Sequence, residues 1–158
     1  MINAFFTDAP YVPVKKSVVK KIVETLKINE NSVLYDLGCG DGRLMIEANK
    51  KFKDIKAIGV EKNIIIYLLA KLITRKTSIK IVHEDINNVS LKDATHIYLY
   101  LFPKIMDKLR KKIQNECRVG TRIVSCTFKF TNVIPDEIID LPVHFDKTCK
   151  NLYVYIIK

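Results

Sequence analysis

Long hydrophobic runs are absent from this sequence. Its most apolar stretch, residues 64–70, is too short to cross a bilayer as a helix, so no membrane span is expected. The four cysteines, Cys39, Cys117, Cys126 and Cys149, form no CxxC pair, and no His stands at zinc-ligand spacing from them. That excludes the usual zinc motifs; the expectation is reduced thiols and no metal site. No signal peptide is expected either: residues 1–10 have no basic start, and Asp8 and Pro10 interrupt any apolar core. Such a chain is expected in the cytoplasm. Repeats and low-complexity segments are also missing. Acidic residues are in short supply, with 17 Asp and Glu against 27 Lys and Arg and a net charge of +10. A basic surface attracts anionic partners such as acidic proteins or anionic membranes, and weakly nucleic acid, although lysines spread this evenly also read as a plain solvated surface. The densest basic stretch, 104–112, has the pattern of a helix with a wet face.

What the 158 residues do contain is one domain's worth of alternating elements, expected to span 1–158 as a monomer. At this length a full core is expected without staples, with little room for a separate substrate-recognition domain. An extended leader, 1–16, carries Pro10 and Pro13. Helical spacing of Val18, Val19, Ile22, Val23 and Leu26 predicts a helix over 17–26. Strands are expected over 33–37, 57–61, 79–83, 95–101 and 121–128, separated by helices over 43–52, 63–73 and 104–115. The apolar residues of the 63–73 helix are expected in the core. This alternation is the signature of an α/β fold with a mostly parallel sheet. The last two strand-like runs, 138–145 and 152–157, leave no space for a crossover helix and must form an antiparallel hairpin.

The strongest local signal is Asp36-Leu37-Gly38-Cys39-Gly40-Asp41-Gly42-Arg43, which follows a buried strand and opens a helix. Glycines there permit positive φ and let a ligand approach the backbone, beside the free N–H groups of a helix start. The third glycine comes one residue too early for the dinucleotide fingerprint, and no Gly-Lys-Ser or Gly-Lys-Thr follows, which excludes a Walker loop. Asp36 and Asp41 would repel a pyrophosphate but attract a sulfonium and an amino group. The chemistry therefore favours S-adenosylmethionine, leaving S-adenosylhomocysteine as product. Glu61 at the end of the second strand is placed to accept ribose hydroxyls, and Asp85 after the third to accept an adenine amine. Each of the three acids, Asp36, Glu61 and Asp85, is expected just past the C-terminal end of its strand. His83 reads as a strand-end surface residue.

Ala9-Pro10-Tyr11-Val12-Pro13, the Tyr35–Arg43 turn, Gly59-Val60-Glu61, Gly120-Thr121-Arg122-Ile123-Val124-Ser125 and the closing hairpin together resemble the small archaeal-type protein lysine methyltransferases and their mitochondrial eukaryotic relatives. The likeness runs over almost the whole chain. It implies a Rossmann-like class I fold with a seven-stranded sheet and methyl transfer to lysine ε-amines of a protein substrate. It further implies that Tyr11, Tyr98 and Tyr100 surround the reacting groups and that Pro13 and Leu101 line the lysine channel. The cofactor would be held by Tyr11, Asp36, Leu37, Gly38, Cys39, Gly40, Asp41, Gly42, Glu61, Lys62, Asp85, Ile86 and Tyr100. Val14 stands where that family's leader carries Thr. No Asn-Pro-Pro-Tyr or Asp-Pro-Pro-Tyr motif follows the fourth strand, which lowers the case for a nucleobase or amide target. The alternatives are an RNA or small-molecule methyltransferase, or a non-enzymatic nucleotide-binding module.

Overall fold

A computed structural model describes residues 12–142 and 147–158. Seven strands form one sheet in the order β3-β2-β1-β4-β5-β7-β6. They are β1 (Val33–Leu37), β2 (Lys56–Glu61), β3 (Lys80–His83), β4 (His96–Leu99), β5 (Arg122–Cys126), β6 (Glu137–Asp140) and β7 (Asn151–Ile156). The first five run parallel; β7 pairs antiparallel with both β5 and β6, as a closing hairpin requires. The helices are α1 (Lys16–Leu26), α2 (Arg43–Lys51), α3 (Ile64–Thr74) and α4 (Pro103–Glu116).

Strand alternation divides the core in two. Leu34 packs with α1 and α2 on one face of the sheet, whereas Tyr35 and Leu37 pack on the other with Met106, Leu109 and Ile113 of α4. Val18, Val19, Ile22, Val23 and Leu26 are all buried, so the apolar stripe of α1 does what its spacing predicts. On the α1 side, register aligns Gly59, Asp36, Tyr98 and Val124 in one row across β2, β1, β4 and β5. A Cβ at Gly59 would lie 2.4 Å from Met45 Cε and 2.8 Å from Cys39 Sγ, because those side chains lie directly on the bare backbone.

Several expectations need correction: the fourth strand ends at Leu99 rather than 101, and the first arm of the closing hairpin at Asp140 rather than 145. The apolar residues of α3 are not core: only Ala70 and Thr74 are buried, and Ile64, Ile65, Leu68, Leu69, Leu72 and Ile73 are exposed. The strand after Gly120 ends at Cys126 rather than 128, because Thr127 turns to φ +67° and leaves the sheet. Cys126 and Cys149 are not free thiols but a disulfide, with Cα atoms 6.0 Å apart. The β5–β7 pairing places Leu152 opposite Cys126 and so brings the preceding loop alongside, a long-range proximity that local spacing cannot reveal. Asp36 stands inside β1, one residue before its end, rather than beyond it. Among the described residues no helix is long and apolar enough to cross a membrane, and no cluster of His, Cys, Asp and Glu could hold a metal.

Candidate active site

The C-terminal ends of the five parallel strands enclose a cavity of about 290 Å³, where open α/β sheets bind ligands. Between β1 and α2 the chain turns through Gly38 and Gly40 at φ +83° and +56°, angles that side-chain-bearing residues rarely adopt. The Gly38 and Cys39 amides donate to the Val60 carbonyl at 2.8 and 3.0 Å, pressing the turn onto β2. A Cβ on Gly38 would come within 3.2 Å of Leu101 Cδ2, so the turn also packs against the exit of β4. Glu61 receives the Gly40 amide on Oε2 at 3.1 Å and the Asn63 amide on Oε1 at 2.8 Å. Those two bonds fix its carboxylate at the cavity edge while each oxygen keeps room for a further donor.

Asp36 lies at the cavity floor, 2% exposed. No group among the described residues donates a hydrogen bond to its carboxyl. Burial, then the nearby Glu61 and Asp41 carboxylates, push its pKa up to about 8. Its register neighbour Tyr98 is 5% exposed, and its hydroxyl has no partner among the described residues. Burial first, then Asp36 and Tyr100, hold that phenol well above its ordinary pKa. Native structures rarely leave a buried polar group unpaired; this hydroxyl, beside a buried carboxyl on the cavity floor, suits a ligand that brings a cation and donors.

The remaining acids are engaged by the protein itself. Arg43 pairs with Asp41, Nη2 lying 2.6 Å from Oδ2, and donates through Nη1 to the Val14 carbonyl at 2.8 Å. This tethers the leader to the glycine turn, so that Val12, Pro13 and Val14 form one cavity wall. Asp41 therefore meets an incoming ligand already neutralised by a guanidinium. Asp85 accepts from the Asn87 amide at 2.9 Å and pairs with Lys62 at 3.0 Å. The Asn87 amide, followed by Lys62, holds its pKa below the usual carboxylate range.

The exits of β4 and β5 supply aromatic rings instead. Phe128 lies 6.3 Å from Tyr100 and 5.5 Å from Phe102, measured between ring centroids. It is set there by the turn at Thr127, whose hydroxyl donates to the Thr148 carbonyl at 2.8 Å, and by Ser125, whose hydroxyl donates to the Phe128 carbonyl at 2.6 Å. The Tyr100 hydroxyl donates to the same Thr148 carbonyl at 3.0 Å, so the closing hairpin braces this wall. The cavity thus has an acidic half behind β1, β2 and β3 and an aromatic half behind β4 and β5.

Of the sequence-predicted residues, Asp36, Gly38, Cys39, Gly40, Asp41, Glu61, Lys62, Asp85, Ile86, Tyr98 and Tyr100 line the cavity with Pro13 and Leu101. Leu37 and Gly42 do not. Alternation turns Leu37 into the α4 core, and Gly42 caps α2 at φ +80°, where a Cβ would meet Thr74 and Met45. Tyr11 lies outside the described residues. Phe102, Phe128, Asn63 and Lys108 also line the cavity, beyond the residues that sequence reasoning singles out. For Asn63 a signal exists, since Asn before an apolar helical run is a capping residue, and its side chain accepts from the Ile65 and Ile66 amides.

Comparison with known proteins agrees with this geometry. A family model described as the ANTKMT methyltransferase domain matches residues 36–137. A protein-lysine N-methyltransferase of Saccharolobus islandicus is 34% identical, the match covering 98% of this chain and 97% of that protein. The adenine nucleotide translocase lysine N-methyltransferase of Mus musculus is 30% identical over 77% of this chain, the match spanning 54% of the mouse protein's length. Among solved structures, an RNA methyltransferase from Salinibacter ruber in complex with S-adenosyl-L-homocysteine superposes with a TM-score of 0.84 at 29% identity, covering 92% of this chain and 94% of its own. A glycine turn over a buried acid, a second acid ending the next strand and a family match spanning both place this chain in the ANTKMT methyltransferase family, among enzymes that use S-adenosylmethionine.

Proposed function

We propose that this enzyme transfers a methyl group from S-adenosylmethionine to the ε-amine of lysine in a protein, with the cofactor in the acidic half of the cavity and the acceptor in the aromatic half. The observation that carries the reading is the buried Asp36 carboxyl on the cavity floor, with the unpartnered Tyr98 hydroxyl beside it in register. An acid left bare of donors fits the cofactor's ammonium group, which restores both charge balance and hydrogen bonds. Gly38 and Gly40 clear the space a methionyl chain needs against the backbone, Glu61 has acceptor capacity for ribose hydroxyls, and Asp85 with Ile86 borders the place left for adenine.

The bound cofactor supplies an activated methyl group on a sulfonium. This chain's residues supply orientation and setting. The faces of Tyr100, Phe102 and Phe128 attract an incoming ammonium. Their apolar company, Val12, Pro13 and Leu101, disfavours that charge once water is excluded, so the amine sheds its proton to solvent before reacting. No carboxylate follows β4 or β5 on the cavity wall among the described residues, so a dedicated base plays no part in this scheme.

The names of the relatives support lysine as acceptor: the S. islandicus match covers nearly the full length of both chains. The S. ruber protein, described as an RNA methyltransferase, and the +10 charge favour a second reading, RNA as acceptor. Incubating the purified protein with methyl-labelled cofactor and a cell extract separates the two. Label recovered as methyl-lysine after protein hydrolysis supports the first reading; label confined to RNA refutes it.

A further inference from the structure

We infer that α3 is a docking surface for an anionic lipid bilayer. A helix on a globular protein ordinarily turns its apolar stripe inward. Here Ile65, Leu68 and Leu72 are 69%, 57% and 56% exposed, and Ile64, Leu69 and Ile73 extend the same strip. The helix packs on β2 and β3 at the open edge of the sheet, where nothing else in the described chain covers it. Six aliphatic side chains in one continuous exposed strip mark a surface meant to meet something apolar.

Charge selects the occupant. Residues 62–80 contain Lys62, Lys71, Arg75, Lys76 and Lys80 and no acid. Among the described residues only Lys62 of these five is in a salt bridge, with Asp85. A second copy packed on this strip by two-fold symmetry would bring two positive rims together. A bilayer with anionic headgroups offers hydrocarbon to the strip and phosphate to its rim at once, the combination that holds amphipathic helices in the interfacial plane. The helix is too short to span, so the contact is peripheral. Asn63 and Ile66, at the start of α3, also line the active-site cavity, which therefore opens beside the docked surface.

The test uses the whole chain without cofactor or acceptor, so its failure is distinct from failure of the lysine reading. The protein is floated with extruded vesicles of equimolar phosphatidylglycerol and phosphatidylcholine, and with phosphatidylcholine alone. The expected result is binding to the anionic vesicles, at least about tenfold weaker on the neutral ones and in high salt. The L68E/L72E double variant, whose sites lie outside the cavity lining, should lose at least about tenfold in vesicle affinity while S-adenosylhomocysteine binding stays unchanged. If that variant fails to bind S-adenosylhomocysteine, K71E/R75E/K76E, which alters only exposed cations, is the deciding variant and should show the same loss. Absence of flotation, or undiminished flotation of the folded variants, overturns the inference. So does a wild-type dimer in light scattering that L68E/L72E converts to monomer, since a second copy would then cover the strip.

Discussion

Raising the pH from 6 to 7 should tighten cofactor binding, and Asp36 sets the size of the effect. Its pKa in the ligand-free protein lies at about 8, so the carboxyl is mostly protonated at neutral pH, whereas a bound ammonium group requires it ionised. The cost of ionisation then falls with rising pH, and the observed affinity scales with the ionised fraction. With a pKa of about 8 that fraction rises about ninefold between pH 6 and pH 7, and binding at pH 7 releases about 0.9 proton. Isothermal titration with S-adenosylhomocysteine, in buffers of different ionisation enthalpy, measures both quantities. Asp36→Asn should bind more weakly and lose the pH slope. The same group leaves a mark on folding. An acid whose folded pKa is raised binds more protons folded than unfolded, so ligand-free stability should fall as pH rises from about 4 through about 8. In Asp36→Asn that decline should flatten. Affinity independent of pH between 6 and 7.5, with no proton released, would refute the reasoning.

Tyr98→Phe removes an unpartnered buried hydroxyl, so thermal stability should hold or rise by up to about 1 kcal/mol while turnover falls roughly tenfold; a lowered melting temperature with full turnover would make the hydroxyl structural. Gly59→Ala forces a Cβ against Met45 and Cys39 and should cost about 1–3 kcal/mol in urea unfolding, an unchanged midpoint counting against the packing described. Glu61→Ala should weaken S-adenosylhomocysteine binding by about 1.5–3 kcal/mol by calorimetry, and wild-type affinity in this variant would remove Glu61 from the site.

The frame of the fold was legible in the residues because its periodicities are strong. Val33–Leu37 and the five buried apolar positions of α1 stand where hydrophobic spacing puts them. The acidic half of the site was legible for a related reason: a glycine turn and acids at strand ends are local signals. The aromatic half was less so. Phe128 reaches the cavity only because Thr127 adopts a left-handed conformation, fixed by bonds to Asn151 and Thr148 across the hairpin. The disulfide of Cys126 with Cys149 hides behind the same long-range pairing. Leu37 and Gly42 sit in the motif yet miss the cavity, since a strand alternates its faces and a helix cap turns away. The exposure of α3 was illegible because apolar residues carry the same pattern whether core or docking surface covers them.

The most direct test of the central claim is the electron density of crystals grown with S-adenosylhomocysteine. The account predicts the ligand in the cavity above Asp36, its amino group meeting that carboxyl, its ribose hydroxyls on Glu61 and its sulfur turned toward Tyr98 and Tyr100. Ligand bound elsewhere, or a saturated crystal in which Asp36 and Tyr98 still have no partner, would contradict it.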